Sequence, residues 1–144
     1  MLPLLTRIDH VGIACRDLNM AIEHYQATFG LKVVSLETNE TQGVREAMLA
    51  VGENALVPGY IQLLEPLGPD TPVGKFLARR GEGIHHIGYG VADIGAALSA
   101  LGATGLRLID ERPRHGSMGA SIAFLHPADL GGVLTELVQF ATMP

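Results

Sequence analysis

The chain has 144 residues, 47% of them hydrophobic and 17% charged, with a formal net charge of -5. That length fits one domain with a sizeable core. The negative balance argues against a general nucleic-acid binder, which needs a basic face. Cys15 is the only cysteine, so no internal disulfide is possible; this suits a reducing compartment. The opening MLPLLTRIDH is too short in its apolar run for a signal peptide. No apolar stretch approaches the ~20 residues of a membrane helix. A soluble, cytoplasmic protein is expected.

The chain contains itself twice. Ile8-Asp9-His10-Val11-Gly12-Ile13 recurs as Ile84-His85-His86-Ile87-Gly88-Tyr89, an offset of 76 residues. Both segments read as strands. Each is followed at the same offset by an aspartate, Asp17 and Asp93, placed to cap a helix. The first helix is expected over about 18–28. Leu18, Ala21, Ile22, Tyr25 and Phe29 form its apolar face, and Gly30 ends it. Strand-like runs follow at 31–36, 44–51 and 60–64. Pro66, Gly68, Pro69 and Pro72 then lead into a short helix at about 72–79. In the second copy the helix is expected over 94–101, closed by Gly102. Strand-like runs follow at 106–109, 121–125 and 133–140. Each half is therefore β-α-β-β-β. One domain over 1–144 is expected, with module one at about 5–66, a linker helix at about 67–83 and module two at about 84–140.

Two related halves usually pair about a pseudo-twofold axis, which brings equivalent residues together. His10 and His86 are equivalent in the first strands. Near the ends of the halves, Tyr60-Ile61-Gln62-Leu63-Leu64 aligns with Leu134-Thr135-Glu136-Leu137-Val138, which sets Gln62 against Glu136. Each half thus offers one imidazole and one oxygen donor inside an apolar strand. A buried polar group is costly unless it is paired. A divalent metal bound by His10, Gln62, His86 and Glu136 would satisfy all four and leave positions open for water or substrate. A lone His or Gln in a strand is usually an ordinary core or edge residue, so the weight rests on the symmetry of the set.

The paired β-α-β-β-β unit with this donor set resembles the vicinal oxygen chelate superfamily. Several stretches narrow the resemblance to the methylmalonyl-CoA epimerase family. They are DHVGIA (9–14), FGLKV (29–33), QGVREAML (42–49), LLEPLGPDTPVGKFL (63–77), RRGEGIHHIGYGV (79–91), LIDERPRHG (108–116), IAFLHP (122–127) and GGVLTELVQF (131–140). The resemblance implies an α+β fold: two tandem βαβββ modules forming an eight-stranded, cup-shaped mixed sheet around a metal, usually in a homodimer. It matches His10, Gln62, His86 and Glu136 to metal ligands. It favours Co2+, with Mn2+, Ni2+ or Zn2+ compatible with the same donors. It matches Glu46 to a catalytic base. Many members of the family carry a basic residue where this chain has Ser121, and a Lys where it has Ala128.

The implied reaction epimerises the carbon between a thioester and a carboxylate by removing and returning its proton. A 1,1-proton transfer is most simply done by groups on opposite faces. Glu46 stands for one of them, and Glu136, or a water on the metal, for the other. An acyl-CoA partner needs cations for its phosphates. Lys75, Arg79 and Arg80 form one basic run and Arg107, Arg112 and Arg114 another. His115, in the HGSMG loop, is placed to border the pocket. Strand alternation turns His85 away from the face of His86, whereas His24 reads as a solvated helix residue and His126 as a strand end. Two alternatives stay open: a glyoxalase I-type lyase on the same scaffold, and a non-catalytic binding module like the metal-free antibiotic-sequestering members.

Overall fold

The computed structural model describes residues 4–52 and 58–140. The start of MLPLLTRIDH and both ends of the expected 1–144 domain lie outside them. Eight strands share one mixed sheet: β1 (Leu5–Ala14), β2 (Val33–Asn39), β3 (Val44–Val51), β4 (Gly59–Pro66), β5 (Gly83–Val91), β6 (Arg114–His115), β7 (Ser121–Leu125) and β8 (Thr135–Gln139). Their order is β2-β3-β4-β1-β5-β8-β7-β6. Three α-helices accompany them: α1 (Leu18–Phe29), α2 (Pro72–Arg80) and α3 (Ile94–Ala103). None is long and apolar enough to cross a membrane.

Contacts group the chain into two units, His10–His85 and Met1–Asp9 with His86–Pro144. The boundaries fall inside β1 and β5, so the opening half of β1 goes with module two.

In the His10–His85 unit, β1 pairs in parallel with β4, β4 with β3 antiparallel, and β3 with β2 antiparallel. Alternation divides the side chains between two faces. Ile13, Cys15, Ala47, Leu49, Ile61 and Leu63 pack under Leu18, Ala21, Ile22 and Tyr25 of α1. Ala14, Val44 and Leu64 point the other way and meet Val73 and Leu77 of α2. Asp17 caps α1 by accepting from the Met20 N–H at 3.1 Å. Glu65, three residues past Gln62, accepts the Leu18 N–H at 2.7 Å. Gly30 closes the helix in the left-handed conformation, φ +71°. One expectation fails here. Phe29 is 67% exposed: it leans on the Tyr25 ring instead of joining the layer beneath α1.

The second unit repeats this plan. β5 pairs in parallel with β8, β8 with β7 antiparallel, and β7 with β6 antiparallel. Ile94, Ala97 and Leu98 of α3 cover Val91, Ala123, Leu125 and Leu137. Asp93 caps the helix through the Ala96 N–H at 3.0 Å. Gln139, three residues past Glu136, accepts the Ile94 N–H at 2.8 Å. Gly102 does not end α3, which runs on to Ala103; the left-handed glycine is Gly105, φ +88°.

The strand expected at 106–109 is not formed. Leu108 makes a single bridge to Leu125. The Asp110 carboxylate takes the Phe124 N–H at 2.9 Å, and both Ile109 and Asp110 N–H donate to the one Phe124 carbonyl. A side chain that competes for ladder partners in this way ends the pairing. The edge strand is instead the two-residue β6.

Candidate active site

In the His10–His85 unit the face away from α1 carries His10 and Gly12 on β1, Glu46 and Met48 on β3, and Gln62 on β4. His10, Glu46 and Gln62 are 3%, 1% and 4% exposed. Gln62 lies level with Gly12 on one side and Met48 on the other. Gly12 therefore sets no side chain of β1 beside Gln62 at that level. The Gln62 Nε2 donates to Glu46 Oε2 at 3.1 Å. That bond turns the amide oxygen away from Glu46 and holds the Glu46 carboxylate in one orientation. Glu46 is thus not the solvated strand residue that its spacing alone allows.

The 86–144 unit has its own half of the constellation. His86 and Glu136 are 2% and 3% exposed. Glu136 lies level with Gly88 and Phe124, as Gln62 does with Gly12 and Met48. His86 Nε2 and Glu136 Oε2 are 3.7 Å apart. That is too long for a hydrogen bond, yet within the span of two ~2.1 Å bonds to one metal ion. The Phe124 ring meets His86 edge-on at 5.4 Å between centroids, which limits how the imidazole can rotate.

His10, His86 and Glu136 are buried donors of the kinds that hold a divalent metal ion, and Gln62 adds an amide oxygen. Two neutral imidazoles, an amide and a single carboxylate suit a first-row dication and leave net positive charge on it. The donor chemistry fits the ion.

The remaining expectations divide. His85 turns from this face as alternation requires and packs edge-on against Phe76 of α2 at 5.0 Å. Burial lowers its pKa to about 4, so it is neutral near pH 7. His24 is exposed beside Tyr25. His126 ends β7, its Nδ1 accepting the Ala128 N–H at 3.1 Å. Burial foremost, helped by the Glu65, Glu82 and Asp17 charges, pushes the Cys15 thiol up to about 12, which leaves it no thiolate reactivity. Lys75, Arg79 and Arg80 are exposed on α2, and His115 is exposed on β6. Arg107 is taken up by Asp129 through bonds of 2.9 and 3.1 Å, which hold that carboxyl down to about 2.

Sequence reasoning passed over Gly12, Gly88, Met48 and Phe124. The signal was available: Gly12 and Gly88 repeat at the offset of 76, and Met48 and Phe124, both bulky and apolar, stand at positions separated by the same offset.

Known proteins extend these observations. Residues 9–124 match the model of the glyoxalase/bleomycin resistance protein/dioxygenase superfamily. The ethylmalonyl-CoA/methylmalonyl-CoA epimerase of Cereibacter sphaeroides is 36% identical over 138 residues, 94% of this chain and 99% of that one. A methylmalonyl-CoA epimerase solved with methylmalonyl-CoA and NH4+ superposes with a TM-score of 0.92 at 52% identity, covering 96% of each chain. The methylmalonyl-CoA epimerase of Mycobacterium tuberculosis gives 0.91 at 44% identity over 99% of this chain and 94% of that one. The chain therefore belongs to the glyoxalase/bleomycin resistance protein/dioxygenase superfamily and, within it, to the methylmalonyl-CoA epimerase family.

Proposed function

We propose that the protein epimerises methylmalonyl-CoA, as a single vicinal oxygen chelate domain. The observation that carries this reading is the 52% identity, over 96% of the chain, to an epimerase solved with methylmalonyl-CoA. The buried donors and the buried, oriented carboxylate of Glu46 support it independently.

In this reading His10, Gln62, His86 and Glu136 hold a divalent ion, Co2+ in preference to Mn2+, Ni2+ or Zn2+. The ion would supply Lewis-acid stabilisation of the negative charge that builds on the thioester oxygen. Glu46 takes the proton from the carbon between thioester and carboxylate. Gln62 keeps the accepting oxygens in place through its Nε2 donation. The return on the other face falls to Glu136 or a water, a ligated carboxylate being a weakened base. General acid–base groups of this kind contribute typically ~10²–10⁴-fold. Exposed Lys75, Arg79 and Arg80 serve the CoA phosphates and His115 borders the acyl pocket. The working form is a homodimer in the cytoplasm.

Proton exchange at the substrate's alpha carbon tests this. Metal-loaded protein and one epimer of methylmalonyl-CoA in deuterated water should give deuterium uptake with racemisation. A chelator should abolish both. No exchange under any of the four metals defeats the reading and favours the glyoxalase-type lyase or the binding module.

A further inference from the structure

The geometry points to Arg114 as a substrate-positioning residue that binds the free carboxylate of the acyl group; this rests on the epimerase reading above. In the 86–144 unit, β6 lies beside β7 with Arg114 level with Ile122. Directly opposed residues share a face, so Arg114 stands on the face of Ile122, Phe124 and Glu136.

Its guanidinium is held there from two sides. Its Cζ lies over the Phe124 ring, 5.6 Å from the centroid. Its Nε is 3.1 Å from Asp110 Oδ1, an ion pair without hydrogen-bond alignment. Asp110 is itself anchored, its other oxygen accepting the Phe124 N–H at 2.9 Å. One ring thus positions both groups: Phe124 carries Arg114 and also touches His86 edge-on at 5.4 Å. These two spacings bound the distance from Arg114 Cζ to the His86 ring centre at about 11 Å.

Asp110 meets the guanidinium at Nε, and the group ends in a fork of two terminal NH2 donors. Such a fork matches a planar carboxylate bidentately. Arg114 keeps 32% of its side chain exposed, so a ligand can reach it. Two other cations of the unit formed by Met1–Asp9 and His86–Pro144, Arg107 and Arg7, are committed otherwise. Arg107 is bound at two nitrogens by Asp129. Arg7 is tied to buried Asp9 at 2.9 Å and lies over Phe140. The CoA phosphates lie at the far end of a long pantetheine arm from the thioester. A cation this close to His86 is therefore better matched to the acyl carboxylate.

Calorimetric titration separates this role from general support. Cobalt-loaded enzyme is titrated with racemic methylmalonyl-CoA, whose composition turnover does not change, and with propionyl-CoA, which lacks only the carboxylate. Arg114→Gln should weaken methylmalonyl-CoA by about 10- to 100-fold and leave propionyl-CoA within about twofold. Arg114→Lys, keeping charge but not the fork, should fall between wild type and Arg114→Gln for methylmalonyl-CoA alone. Equal weakening of both thioesters, or no change in either, overturns the assignment while the wild type still exchanges deuterium. A wild type that binds neither thioester overturns the epimerase reading and this assignment with it.

Discussion

The two modules share one plan and differ in the chemistry built on it. In each, a histidine is followed two residues later by a glycine, and that glycine lies level with an oxygen donor. In each, a bulky apolar residue flanks the donor on the next strand, Met48 in one and Phe124 in the other. The difference sits one turn of the pleat further along. Position 46 is a buried glutamate, whereas its counterpart at the 76-residue offset, Ile122, packs with Ala120, Phe124 and Val138. Metal-type donors come from both copies of the repeat, whereas a buried carboxylate at this third position comes from only one. The likeness of the two modules extends to these donors and stops at position 46.

Several substitutions would break or sharpen that comparison. The largest effect is expected from Glu46→Gln, which should lower the deuterium-exchange rate by about 10²–10⁴-fold at unchanged metal content. If Ile122→Glu in that background restores exchange, the asymmetry between the modules is not functional. The expected result is no rescue and a loss of stability, seen as a lower denaturant midpoint, because a carboxylate is forced into an apolar cluster. Next come the flanking residues. Phe124→Ala should cost about 3–5 kcal/mol in urea unfolding and Met48→Ala about 2–5 kcal/mol. Of the two, only Phe124→Ala should also disturb the metal site, read as a changed Co2+ absorption spectrum, since the Phe124 ring meets His86 edge-on. The smallest effects belong to the caps. Asp17→Ala and Asp93→Ala should each cost about 1 kcal/mol. Their bonds of 3.1 and 3.0 Å are equivalent, so a large gap between the two would show that the helices are not supported alike.

The parts of the molecule that repeat were the legible parts. The offset of 76 exposes the strand–cap–helix opening of both modules, and the two equivalent strands near their ends expose Gln62 and Glu136. The runs at 44–51 and 121–125 coincide with β3 and β7. Legibility fails where a side chain overrides the local pattern. Residues 106–109 have the apolar content of a strand, but Asp110 captures the Phe124 N–H and the edge passes to Arg114–His115. Phe29 has the spacing of a buried helix residue and is largely exposed. The burial of Glu46 was also illegible, since it depends on a neighbour sixteen residues away, Gln62, and on the strand pairing that brings the two together.

Glu65 and Gln139 hold the first N–H groups of α1 and α3 from the strands that carry Gln62 and Glu136. A slip of β4 by one residue would turn Gln62 onto the α1 face and, in the same movement, withdraw Glu65 from Leu18. Misplacing a donor therefore also uncaps a helix. The strand register that sets each donor on its face is thus the same one that caps a helix, once in each copy.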